Sequence, residues 1–144
     1  MRKVLLGGIV FVSALLLTTG CGVGNKTLSC DQSNSGVDIN ITSEFKNNKI
    51  SSMTLKYGMD LSSYSDAQVK AIEGQDFCKS IKQAMTGMDK AFTDCKHSIE
   101  NKQLSVTANI DVKKLKGFDI SEKSTFDQTK KALESSSFKC EEKN

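Results

Sequence analysis

Cys30, Cys78, Cys95 and Cys140, with the single histidine His97, are the residues whose types and spacing first suggest chemistry in this 144-residue chain. A fifth cysteine, Cys21, stands apart from them at the end of an apolar run. An even set of four cysteines outside the cytoplasm predicts two disulfides, and four cysteines allow three pairings. Chain position favours Cys30 with Cys140, near the two ends of a domain whose termini should lie close together. It favours Cys78 with Cys95, one on an expected helix and the other on the strand that follows. A zinc site prefers cysteines two to four residues apart, and a thioredoxin-like redox pair needs two residues between them. Neither spacing occurs, so the expectation is structural bridges, no metal site and no cofactor.

Other candidates weigh less. His97 could join Asp94 and a serine in a small hydrolase, but no nucleophile-elbow pattern is present, and residues three apart in a strand point to opposite faces. Asp60, Asp66, Asp76 and Asp89 lack the regular spacing and closing Glu of a calcium loop and read as caps and solvated carboxylates. Met53, Met59, Met85 and Met88 could offer thioethers to copper, yet they fall on apolar faces and read as core. Lys113-Lys114-Leu115-Lys116-Gly117 could touch anionic headgroups but reads as a solvated loop.

The elements that would position these residues follow from hydrophobic period. Lys26 to Asp31 reads as a short strand and Ser33-Asn34-Ser35-Gly36 as a turn. Val37, Ile39, Ile41 and Phe45 alternate with polar residues, which predicts a half-buried strand. Lys46-Asn47-Asn48-Lys49 turns it back into a strand from Ile50 to Met59. Ser65 with Gln68 forms a capping box for a helix carrying Ala71, Cys78, Ile81, Met85 and Met88 in a stripe, widened by Phe77 and Ala84. Gly74 is its weak point, and the helix ends near Gly87. Ala91 to Ile99 predicts a strand with Ala91, Thr93, Cys95 and Ile99 on one side. Leu104, Val106, Ala108, Ile110 and Val112 predict its hairpin partner. Ser124 is expected to cap a second helix with Phe126, Thr129 and Leu133 inward, before a last short strand at Phe138 to Glu141. The fold class expected is α+β: an antiparallel sheet with two helices packed on one face, a two-layer sandwich.

The first residues read as an export signal. Arg2 and Lys3 precede an apolar run from Val4 to Leu17, too short to span a bilayer comfortably, and small residues lead to Gly20-Cys21. This junction resembles the lipobox of bacterial lipoproteins, in which a small residue precedes the cysteine that receives a diacylglyceryl group before cleavage. The resemblance implies residues 1–20 as signal peptide, Cys21 as the lipidated residue, 21–27 as a tether and 28–144 as a single domain. Two acyl chains anchor stably at ~0.8 kcal/mol per buried methylene. Cleavage reduces the 20 basic residues to 18, against 17 acidic ones, and removes Arg2, the only arginine. A near-neutral domain whose cations are all lysine, without Trp, argues against nucleic-acid binding.

A second resemblance lies in the layout: the lipobox cysteine, a hairpin beginning near Val37 with a Lys-rich turn, an Asp/Ser entry to a central helix, and a hairpin ending in Ile110-Asp111-Val112-Lys113-Lys114-Leu115. Over about residues 28–116 this is similar to small bacterial lipoproteins of the YehR type. It implies a fold and an anchor rather than a reaction. The sequence thus leads to the expectation of a non-enzymatic binding or interaction module on the extracytoplasmic face of the cell membrane, with a protein partner at the envelope. A small solute- or metal-binding receptor is the alternative, and a small hydrolase centred on His97 the more distant one.

Overall fold

Period-two alternation in Val37–Lys46 makes β2 a strand with Ile41, Ser43 and Phe45 buried and Asp38 and Glu44 exposed. It lies between β1 (Asn25–Asn34) and β3 (Lys49–Asp60), antiparallel to both. Two-residue loops close both hairpins. Ser35 and Gly36 have φ of 50° and 81°, and Asn47 and Asn48 have 52° and 57°. Two successive positive φ values match the right-handed twist of the strands, and Gly and Asn tolerate them best. The computed structural model describes residues 24–84, 89–115 and 119–143. Residues 1–20, expected as a signal, and Cys21, Met85, Gly87 and Met88, and Lys116 and Gly117 lie outside the described residues.

The rest of the sheet forms around this meander. β4 (Phe92–Glu100) and β5 (Gln103–Ile110) are a third tight hairpin, turned by Asn101 and Lys102 at φ of 51° and 59°. β5 pairs with β3, and the last strand, β6 (Lys139–Lys143), pairs with β1. Among the described residues the result is a six-stranded antiparallel sheet in the order β4-β5-β3-β2-β1-β6, with three α-helices, a mixed α+β fold. The helices are α1 (Asp66–Glu73), α2 (Phe77–Ala84) and α3 (Phe126–Ser135), with a 3-10 turn at Val112–Lys114.

Two apolar clusters hold the elements together. The larger joins Leu28 and Cys30 of β1, Ile41 and Phe45 of β2, Met53 and Leu55 of β3, and Phe126 and Leu133 of α3. Within it the Phe45 and Phe126 rings meet edge to face at 5.3 Å. The smaller joins Leu61, Val69 of α1, and Leu104 and Val106 of β5. Ile81 and Cys95 pack against both. Ser43 Oγ is buried in this interior without a hydrogen-bond partner. Among the described residues no helix is long and apolar enough to cross a membrane.

Several elements differ from the sequence expectation. The central helix is two helices. Gly74 ends α1, and Asp76 then offers its own carboxylate to the Lys79 N–H at 3.0 Å and restarts the helix as α2. A poor helix former followed by a good capping residue favours the break. Ala71, expected on the inner stripe, is exposed. Thr125 rather than Ser124 caps α3, because the Ser124 hydroxyl is already taken by the Ser121 N–H at 2.8 Å. Phe126, Thr129 and Leu133 are the buried positions of that helix. In β4 a bulge between Thr93 and Lys96 shifts the register. Thr93 therefore pairs with exposed Asn109, while Phe92, opposite Ile110, takes the buried position. At the other end β1 begins at Asn25, so Asn25, Lys26 and Thr27 belong to the sheet rather than to a tether. Lys26 holds that end, with its ammonium 3.2 Å from Glu142 and 4.9 Å from the centre of the Phe126 ring.

Candidate functional site

Two disulfides divide four cysteines between opposite parts of the sheet. Cys30 and Cys140 face each other directly across β1 and β6, with Cα atoms 4.0 Å apart. The Cys30 side chain is wholly buried. Cys78, in the first turn of α2, joins Cys95 of β4 with Cα atoms 5.8 Å apart. Both of these cysteines are only half-buried.

The second bridge has chemical neighbours. The bulge sets two residues, Asp94 and Cys95, against Ala108, and Asp94 absorbs the kink at φ 50°. Cys95 is thereby aimed at α2. His97, two residues on, keeps the same side of the strand and pairs in register with Val106. Its exposed imidazole meets the Phe77 ring edge-on at 5.6 Å. Asp76 sits just before Phe77, its exposed carboxylate fixed by the cap to Lys79 N–H and its carbonyl accepting from the Ser80 N–H at 3.0 Å. Ligating atoms of Asp76, Cys78 and His97 all lie within 4.8 Å of one another. These are a carboxylate oxygen, a sulfur and a ring nitrogen on the rim of the smaller core.

Close-pair spacing does not reveal this grouping, because its members come from two separate elements, Asp76 and Cys78 at the start of α2 and His97 in β4. A different signal is present: Asp76-Phe77-Cys78 and Cys95-Lys96-His97 each carry a second donor two residues from the cysteine. In a strand that spacing places both side chains on one face.

The remaining candidates are dispersed. The Asp94 carboxylate accepts from the Asn109 amide at 3.3 Å, on the sheet side away from His97, and the two form no dyad. Asp60 accepts from the Ser62 N–H at 2.8 Å and from the Gln103 amide at 3.0 Å, and these bonds hold its carboxyl below the usual carboxylate range. Asp66 pairs with the Lys102 ammonium at 2.8 Å and is lowered by that hydrogen bond and charge. The same ammonium donates to the Tyr64 carbonyl at 3.1 Å, which ties the β4–β5 turn to the start of α1. Asp89 is exposed. Met53 belongs to the larger cluster and Met59 packs on the smaller one, as core residues do. Lys114 and Lys113 are paired at 3.4 Å with Asp111 and at 3.8 Å with Glu122.

The surface depressions are shallow. One of about 510 Å³ runs along α3 between Ser121, Gln128, Lys131 and Ser135. Another of about 320 Å³ lies beside α1 between Lys70, Glu73 and Asn101. Both are open grooves with polar walls, unlike the enclosed apolar pockets that take small molecules. Comparison with protein families, with curated proteins and with solved structures returned no match.

Proposed function

We propose that the protein is a lipoprotein held on the extracytoplasmic face of the cell membrane by acyl chains on Cys21, and that its domain is a non-enzymatic binding or interaction module. The observation that carries this reading is the division of the cysteines. Two bridges account for four of the five. The remaining one follows Gly20 at the end of an apolar run with a basic start, where a lipoprotein signal would place it. Bridges also accord with an oxidising compartment outside the cytoplasm.

The domain would ride close to the bilayer. β1 starts at Asn25, and the four residue steps from Cys21 reach at most about 14 Å when fully extended. The reading includes a second layer in which the helices cover one face of the sheet. Val69 of α1 with Leu104 and Val106, and Phe126 and Leu133 of α3 with Leu28 and Ile41, are the contacts that support it. The opposite strand positions carry a polar chain: Asn40 donates to Ser29 and Asp31, Thr42 to Asn40, and Thr54 to Asn109. Open polar grooves and a polar sheet surface suit a protein partner at the envelope better than a buried small molecule.

Cys21→Ser tests the anchor. In fractionated cells, wild-type protein should stay with membranes through a high-salt wash and partition into detergent. The variant should lose the acyl mass and be released or remain uncleaved. A variant indistinguishable from wild type in both fractionation and mass would contradict the reading.

A further inference from the structure

The donors around the half-buried bridge suggest a use that the bridge itself conceals. We propose that Asp76, Cys78, Cys95 and His97 form a redox-gated site for a thiophilic divalent cation such as Zn²⁺, closed while Cys78 and Cys95 are joined and opened when a dithiol reduces them. The site depends on this bridge and its neighbours and not on the anchor at Cys21.

The chemistry balances in two steps. A dithiol passes two electrons and two protons to the bridge and becomes a disulfide itself, leaving two thiols at Cys78 and Cys95. A divalent cation then displaces both thiol protons, and the two thiolates, a neutral imidazole nitrogen and a carboxylate oxygen complete four coordination. In the joined state the sulfurs are bonded to each other and cannot act as thiolates, so only His97 and Asp76 remain as ordinary donors.

Geometry favours the site over a chance grouping. Around a tetrahedral zinc, donors about 2.0–2.3 Å from the metal lie roughly 3.3–3.8 Å from one another. Asp76, Cys78 and His97 already bring their ligating atoms within 4.8 Å, and Cys95 is bonded to Cys78. To reach that spacing the two sulfurs must separate, and the carboxylate, imidazole and Cys95 sulfur must draw in around the cation. Asp76 is fixed as the cap of α2, which occupies one carboxylate oxygen and leaves the other. The bulge at Asp94 and Cys95 sets the direction of the sulfur. Access differs between the two bridges: the first pairs wholly buried Cys30 with half-buried Cys140, whereas Cys78 and Cys95 are both half-buried and stand beside exposed Asp76 and His97. A reductant therefore meets the second bridge first, while the first continues to close the domain.

The test uses the full chain under anaerobic conditions, oxidised or treated with limiting dithiothreitol, with Zn²⁺ and Co²⁺ as probes. Alkylation mapped by mass should show Cys78 and Cys95 opening before Cys30 and Cys140. The reduced chain should bind one cation, with thiolate-to-Co²⁺ charge-transfer absorption, at least a hundredfold more tightly than the oxidised chain. His97→Ala and Asp76→Asn should each weaken binding tenfold or more with the same two thiols released. The proposal is overturned if Cys30 and Cys140 open first or if reduction adds no cation binding. It is also overturned if both variants bind as tightly as the reduced wild type, which would leave the thiols as the only ligands.

Discussion

Removing the Cys30–Cys140 bridge should cost more stability than removing Cys78–Cys95, and loop length sets the difference. A cross-link removes closure entropy from the unfolded chain as the logarithm of the loop it encloses. The sequence separations are 110 and 17. They correspond to about 4.8 and about 3.1 kcal/mol at 25 °C. The difference, about 1.7 kcal/mol, depends only on the ratio of the two loops. Burial acts in the same direction, because Cys30 lies wholly inside the larger cluster and Cys30→Ala also removes core contacts. Against a total stability on the order of 5–15 kcal/mol, the longer bridge is a large share. The assay is urea unfolding, followed by circular dichroism, of a Cys21→Ser chain with either pair replaced by alanine. Hydrogen exchange should find the greatest loss of protection in β6, the edge strand beside β1. Equal or greater destabilisation by Cys78→Ala/Cys95→Ala than by Cys30→Ala/Cys140→Ala would exclude loop length as the cause of the difference.

Three further outcomes follow from single contacts. Ser43→Ala should raise stability by about 1 kcal/mol, since it removes a buried hydroxyl without a partner; a lower urea midpoint would count against this. Asn48 accepts from the Phe126 N–H at 3.2 Å and so caps α3 from a distant turn. Asn48→Gly keeps the positive φ accessible and should cost about 1 kcal/mol through the lost bond, so an unchanged midpoint would exclude that role. Asp66 is lowered first by the Lys102 hydrogen bond and then by its charge. A folded value below the unfolded one makes its contribution present above the ordinary carboxylate range and lost as pH falls through the folded value. Carboxyl titration by NMR should find Asp66 below that range in the wild type and within it in Lys102→Ala, and identical midpoints would refute the assignment.

Much of the sheet was legible because β2 and β5 keep strict alternation, and Ser35-Gly36 and Asn47-Asn48 supply residues that accept positive φ. β4 was harder to read. Its bulge adds a residue where periodicity assumes none, so Thr93 and Phe92 exchange sides relative to simple alternation. The central helix read as continuous because its apolar residues recur across Gly74, yet Asp76 competes locally and starts a new helix. The grouping of Asp76, Cys78 and His97 depends on both irregularities together. Cysteine spacing in the sequence does not disclose donor atoms that a bulge and a helix start bring together from separate elements. The paired spacings of Asp76 to Cys78 and Cys95 to His97 were the available sign.

Mass spectrometry of the protein extracted from membranes tests the proposed function most directly. The expected result is a mature N-terminus at residue 21 with diacylglyceryl mass on its sulfur. A chain that retains residues 1–20, begins at another position, or carries no acyl group there would contradict it.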